Sequence, residues 1–345
     1  MSKRVVIELT NRCNLSCEHC FSGRHGGSDD LPLQVLQRVL DEARDHGFTH
    51  LSFTGGDPTV HARFPEVVRL TSEAGYRYSF VTNGWNFTTV WPRVRQHRQG
   101  LSVVTFSLDG ATEQTHDSLR GAGSFRRAMK AATLAMVEEV PFSVNMVVTA
   151  HNRHELADMV DLAASLGARG VRFGHLMPAP LTTARGFDLS PAERKAVEAQ
   201  VHELRRTAAI PIGVAPGFYT TDLFPCAPLQ LQELNIDCRG NLSKCCHLSG
   251  HGPGVGSDDV MGNLAEITFG EALALLAEEN RQFHESKRRR LAEGRLADTD
   301  YFTCWDCSLH YRKVDWLKRV RGNPWAELAR ARDGVAKAAT VGAGE

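Results

Sequence analysis

From residue 4 to about residue 215 the chain alternates short β-branched runs with stretches of helical period, and this alternation constrains the fold more than any other feature. The segments "RVVIELT" (4–10), "HLSFTGG" (50–56), "RYSFVTNG" (77–84), "SVVTFSLDG" (102–110), "FSVNMVVTA" (142–150) and "GVRFGHLMP" (170–178) read as strands. Helices are expected between them. In 31–47 apolar residues recur at Leu33, Leu36, Val39, Leu40 and Ala43, and the run closes on Gly47. Residues 64–75, 88–98 (with Pro92 near its start), 124–140 (capped by Ser124) and 155–168 follow the same pattern. Residues 190–209 open on a Ser190 cap, Pro191 and a Glu193 capping box. Strand–helix units in series make a parallel sheet with crossover helices. At this level two closures stay open, a doubly wound sheet and a barrel. No G-x-G-x-x-G follows the first strand, which weighs against a dinucleotide site. In barrels the loops after the strands carry the site. Those loops here hold Cys13–Cys20, "TGGDP" (54–58), "TNG" (82–84), "SLDG" (107–110) and "HLMPAP" (175–180).

The 345 residues, 42% of them hydrophobic, suffice for one large domain and a smaller one. Lysine plus arginine equals aspartate plus glutamate at 40 each, which argues against nucleic acid or an anionic membrane as the main partner. No long uncharged apolar run and no signal-like core are present, so a soluble, cytoplasmic protein is expected. The nine cysteines are clustered: Cys13, Cys17 and Cys20 in one group, the other six beyond residue 225. Clustered thiols in such a protein point to metal or redox chemistry rather than disulfides. The C-x3-C-x2-C segment supplies three thiolates. A structural zinc site takes four protein ligands, so a distant cysteine would have to complete it. A four-iron cluster would instead keep one iron open for a small-molecule ligand.

Taken in order, these motifs resemble the radical S-adenosylmethionine superfamily over roughly the first 215 residues. The resemblance implies an α/β fold, a partial (β/α)6 TIM-type barrel with a small cysteine-rich C-terminal extension. It implies a [4Fe-4S] cluster on Cys13, Cys17 and Cys20, with S-adenosyl-L-methionine on the open iron. "TGGDP" is similar to the family's G-G-E-P segment, so Gly55, Gly56 and Asp57 are expected around the methionine amino group, with Asp57 replacing the commoner glutamate. Ser107 or Asp109 is expected on the ribose hydroxyls, and Asn145 is a further polar candidate within a strand. His19 stands where the family usually has an aromatic on the adenine side. Arg185, after "LMPAP", is expected near the cofactor carboxylate. The expected division is a barrel over 1–215, an extension over 216–330 and a flexible tail over 331–345.

The later cysteines resemble the twitch and SPASM extensions of such enzymes. That implies one auxiliary [4Fe-4S] cluster on Cys226, Cys245, Cys304 and Cys307, with a four-cysteine zinc site as the alternative. Of the remaining two, Cys238 reads as a small core residue. Cys246 is the candidate catalytic thiol, able to return a hydrogen atom to a carbon radical. His247 and His251 are loop histidines available as base or substrate contact. The main expectation is dehydrogenation or epimerisation of a carbinol carbon in a small hydroxylated molecule of sugar or aminocyclitol type; Asn145, Arg172, His175 and Asp188 are its polar candidates. The alternatives are maturation of a ribosomally made peptide by epimerisation or crosslinking, and a non-catalytic zinc module. The cluster motif begins at residue 13, so a preceding peptide-binding domain is not expected, and a short substrate or a separate recognition protein would be needed. An external one-electron reductant of flavodoxin or ferredoxin type is the expected partner.

Overall fold

The structure, a computed structural model, describes residues 3–20, 28–249 and 259–330. The chain runs β1 (Lys3–Thr10), α1 (Leu33–Glu42), β2 (Phe48–Gly55), α2 (Phe64–Glu73), β3 (Arg77–Thr82), α3 (Phe87–Val94), β4 (Leu101–Ser107), α4 (Glu113–Arg120), α5 (Ser124–Val137), β5 (Phe142–Val148), α6 (Leu156–Ser165) and β6 (Val171–His175). It continues through α7 (Pro180–Ala184), α8 (Pro191–Thr207), β7 (Ile212–Val214), β8 (Glu233–Ile236), β9 (Asn241–Ser243), β10 (Val260–Asn263), α9 (Phe269–Ala292) and α10 (Thr303–His310).

All ten strands belong to one open sheet, in the order β10-β9-β8-β1-β2-β3-β4-β5-β6-β7. Strands β1 to β6 pair in parallel in sequence order, the arrangement of a partial barrel that does not close. A short seventh strand, β7, extends it past the six expected. On the other side β8 pairs in parallel with β1, from Arg4 with Glu233 to Ile7 with Ile236, and β9 and β10 follow antiparallel. The 215/216 division therefore falls between β7 and β8, on opposite sides of the parallel strands. One continuous core fills the space between sheet and helices, from Val5, Ile7 and Phe53 through Phe80 and Phe106 to Phe173. One face of these strands packs on the helices and the other lines interior cavities with Ser52, Ser79, Thr105 and Ser143, which is why β5 and residues 51–54 of β2 alternate buried and half-buried residues.

Two local expectations are corrected. Pro92 lies inside α3 rather than at its start. It can donate no helical hydrogen bond, and the chain passes into a 3-10 turn from Arg95. Ser124 is the first residue of α5, not its cap. The cap is the Asp117 carboxylate, which accepts from Gly123 N (2.6 Å), Phe125 N (2.8 Å) and Ser124 Oγ (3.0 Å). The Ser190–Glu193 capping box of α8 forms as expected.

Buried charge fixes the C-terminal part against the barrel. Lys287 of α9, with no exposure, lies 3.2 Å from the Asp306 carboxylate and donates to Asp300 O. Arg290 bridges Asp300 (2.7 Å) and Asp306 (3.0 Å). These pairs orient α10, which carries Cys304 and Cys307. Arg194 of α8, also buried, donates to Leu176 O (2.6 Å) and Gly217 O (3.3 Å) and stacks 4.4 Å over Trp325. Removing it leaves two buried carbonyls unpaired, so Arg194→Met is expected to cost about 3 kcal/mol; urea unfolding of the metal-free protein measures it.

Candidate active site

The first cysteine group lies in the loop leaving β1. Its three thiols line one end of a 370 Å³ cleft, within the size range of small-molecule sites. The loop is held by its own backbone and by neighbouring strand ends. Leu15 N donates to Cys13 Sγ (3.5 Å), and Asn83 Nδ2 reaches Cys13 Sγ (3.7 Å) and Asn14 Oδ1 (2.8 Å). Burial raises the Cys13 thiol, and it pushes Cys17 up to about 11, with Arg120 acting against it. Thiolates here therefore need a cation or a metal to form.

Gly55 and Gly56 line the cleft, but their first requirement is packing. A Cβ on Gly56 would lie 2.0 Å from Arg12 O, and one on Gly55, at φ +131°, 2.2 Å from Thr10 O. The glycines let the end of β2 meet the cysteine loop, and Gly56 N and Asp57 N bond to Thr10 O and Arg12 O.

Two carboxylates expected on the cofactor are instead consumed by the fold. Asp57 is buried, with Oδ1 accepting from Thr59 N (2.9 Å) and Thr59 Oγ1 (2.5 Å) and Oδ2 from Thr82 Oγ1 (2.9 Å) and Asn83 N (2.8 Å). It ties the "TGGDP" turn to the "TNG" turn. Asp109 is wholly buried. Its Oδ2 meets His19 Nε2 (2.8 Å) and the Arg120 guanidinium, and its Oδ1 accepts from Val147 N (2.8 Å). Burial opposes its charge, yet Arg120 and His19 hold the carboxyl far below the usual range. Neither aspartate lines the cleft, whereas Ser107, Asn145 and His19 do. Arg185 is also outside it, 42% exposed and paired with Glu18 on the cysteine loop. Asp188 is held by Thr183, away from the cleft, while Arg172 and His175 line it.

Besides Arg172, a second arginine lines the cleft: Arg120, at the end of α4, with Nη1 4.0 Å from Cys17 Sγ. It was missed because the "EQTHDSLRG" helix looks solvent-facing; the buried histidine and leucine, His116 and Leu119, at spacing of three were its signal.

The second cysteine group surrounds a chamber of 430 Å³ below the cleft, lined by Cys226, Cys245, Cys304 and Cys307. Burial raises Cys304, Cys307 and Cys226, the last to about 11; Cys245 is pulled down by its hydrogen bond with Cys246 but raised on balance by burial together with its neighbouring sulfurs. The chamber also holds Lys244, 1% exposed, whose Nζ makes no hydrogen bond to any described residue. A buried ammonium without acceptors is costly, so the donor set fits an anionic group such as a thiolate-bound iron–sulfur cluster. Among the described residues no three His, Cys, Asp or Glu side chains converge closely enough to hold a metal ion as they stand. Cys246 and His247 line both cavities, together with Thr54, Val81, Asn145 and Arg172. The Cys246 thiol donates a hydrogen bond to the Cys245 sulfur, which with burial raises Cys246 well above its ordinary value. His247 stacks on His175, ring centroids 4.8 Å apart. Cys238 is a buried core residue. His251 and the 331–345 segment lie outside the described residues.

Residues 7–163 match the model of the radical SAM superfamily. That stretch, somewhat under half of the chain, is similar to the superfamily, whose members use a [4Fe-4S] cluster and S-adenosylmethionine. An "AdoMet-dependent heme synthase" of Methanosarcina barkeri is 29% identical over 60% of this chain and 59% of its own length. A "PqqA peptide cyclase" of Ruegeria pomeroyi is 32% identical over 48% of this chain and 45% of its own. The chain thus spans about half the length of these curated relatives. Among solved structures, Streptococcus suis SuiB bound to precursor peptide SuiA shares the fold, with a TM-score of 0.59 and 16% identity over 72% of this chain and 61% of that one.

Two outcomes follow. Gly56→Ala must push the cysteine loop off β2. It is expected to destabilise the metal-free protein by about 3 kcal/mol and to prevent iron uptake at the first group; thermal unfolding and iron analysis test this. Neutral His116 accepts from Asp109 N through Nδ1 (3.2 Å), and burial lowers its pKa to about 4. An unfolded histidine titrates near 6.5. The stability it contributes is complete above about pH 6.5 and is lost as pH falls towards 4, amounting to about 2 kcal/mol between pH 7 and 5. Urea unfolding at the two pH values should show this loss in the parent and a smaller one in His116→Asn.

Proposed function

We propose that this chain matures a peptide by inverting a carbon centre: a hydrogen atom is removed on one face and Cys246 returns one on the other. The observation that carries the reading is the position of Cys246 in the wall shared by the two cavities. In this reading Cys13, Cys17 and Cys20 hold the first cluster and leave one iron for S-adenosylmethionine, beside Gly55, Gly56, Ser107, Asn145 and His19. When bound there, cluster and cofactor supply a 5′-deoxyadenosyl radical that takes a hydrogen atom from a substrate C–H bond. Cys226, Cys245, Cys304 and Cys307 hold one auxiliary cluster, in an extension over 216–330.

The Cys246 S–H bond then breaks homolytically. Its hydrogen atom forms the new C–H bond of the inverted carbon and leaves a thiyl radical. One electron, entering from a flavodoxin- or ferredoxin-type reductant, and one proton from solvent restore the thiol. Arg120, paired with Asp109, keeps a positive charge at the cleft wall, and the buried Asp57 holds the turns that shape it. A peptide substrate is supported by the likeness to the peptide cyclase and to the fold of the precursor-peptide complex. Epimerisation or oxidation of a small hydroxylated molecule is the second reading. It is favoured by the hydroxyls of Ser52, Ser79, Thr105 and Ser143, which line the lower chamber.

Incubation in deuterium oxide with candidate precursor peptides should give product with one deuterium at an inverted carbon. Cys246→Ala should still release 5′-deoxyadenosine but give no inverted product. Product two hydrogens lighter, formed equally by the variant, would replace epimerisation with dehydrogenation.

A further inference from the structure

Lys244 immediately precedes the Cys245–Cys246 pair and is withdrawn from solvent. Its ammonium sits 5.3 Å from the Phe283 ring centroid and 5.4 Å from that of Tyr311, a partly aromatic cage. Glu279, the nearby carboxylate, accepts from Tyr311 Oη at 2.7 Å, and Lys244 Nζ makes no hydrogen bond to it. The sulfurs of Cys226, Cys245 and Cys307 line the same chamber as Lys244. Two aromatic faces are weak compensation for an ammonium taken out of water. An anion held in the chamber these sulfurs line would complete the site.

We infer that Lys244 is the counter-cation of the auxiliary iron–sulfur cluster and a positioning residue that raises its reduction potential. This rests on the auxiliary-cluster reading above. Four thiolates give such a cluster a net negative charge that grows by one on reduction. A fixed positive charge at the chamber wall stabilises the reduced form more than the oxidised form. In the reaction proposed, that sets how readily the centre behind Cys246 holds the electron that restores the thiol. The aromatic cage keeps water, and with it dielectric screening, away from the pair.

The test is redox titration, followed by electron paramagnetic resonance, of the full chain reconstituted anaerobically with iron and sulfide, with iron counted in each sample. The parent should carry about eight irons. A parent with about four would remove the auxiliary cluster itself, a failure distinct from that of the inference. With about eight irons in both proteins, Lys244→Met should lower the ratio of reduced to oxidised auxiliary cluster at fixed potential by about tenfold or more, 59 mV for a one-electron couple. Lys244→Arg should stay near the parent, and the cluster on Cys13, Cys17 and Cys20 should not shift. An unchanged auxiliary potential in Lys244→Met overturns the inference. If Lys244→Met fails to retain the second cluster, retention in Lys244→Arg supports the counter-charge and loss in both overturns it.

Discussion

The cleft hangs from the carboxylate of Asp109. Its two oxygens bind His19 from the cysteine loop, Arg120 from α4 and the backbone of β5 at Val147. Its own backbone is held by His116 and Asn152. A single buried anion thus joins the segment that carries three cysteines to the ends of two strands and a helix. The bonds are charge-assisted and out of water, so breaking one leaves charges that nothing else satisfies. The same anion holds Arg120 against Cys17, where a cation favours the thiolate. Asp57 does the corresponding work on the other wall, using two turns instead of two charges.

Below that cleft the cysteines of the C-terminal part face a second chamber, and the two spaces share Cys246. The geometry follows from sheet topology. Because β8 pairs with β1, the β8–β9 hairpin carries Cys245 and Cys246 to the open side of the partial barrel. The Lys287, Arg290, Asp300 and Asp306 network then sets α10, with Cys304 and Cys307, against them. Buried ion pairs are weak sources of net stability but strict about geometry. Here they place the helix that carries Cys304 and Cys307 rather than add to the core.

The strand–helix series was legible because hydrophobic period is a local property, and β1 to β6 lie where the pattern puts them. The pairing of β8 with β1 joins residues more than 200 apart and has no local signal. Cys13, Cys17 and Cys20 were legible because three thiols in eight positions have few other uses. The resemblance to the G-G-E-P segment points Asp57 at the cofactor, and the strand-end position of "SLDG" points Ser107 or Asp109 there. In the fold each aspartate is saturated by nearby N–H, hydroxyl or cationic groups. Arg185 follows a motif of the family and Arg120 follows none, yet Arg120 lines the cleft and Arg185 does not: sequence shows the residue type but not which loop turns inward. Lys244 could not be weighed from sequence, since its meaning lies in burial without a hydrogen bond from Nζ to any described residue.

The central claim is that the cleft beside Cys13, Cys17 and Cys20 makes a radical from S-adenosylmethionine. The direct measurement is 5′-deoxyadenosine and methionine released by the anaerobically reconstituted chain under a strong one-electron reductant. The account predicts release by the parent and none by Cys17→Ala, with the second cysteine group still holding iron. Absence of cleavage in a parent that carries its full complement of iron, or equal cleavage in Cys17→Ala, would contradict it.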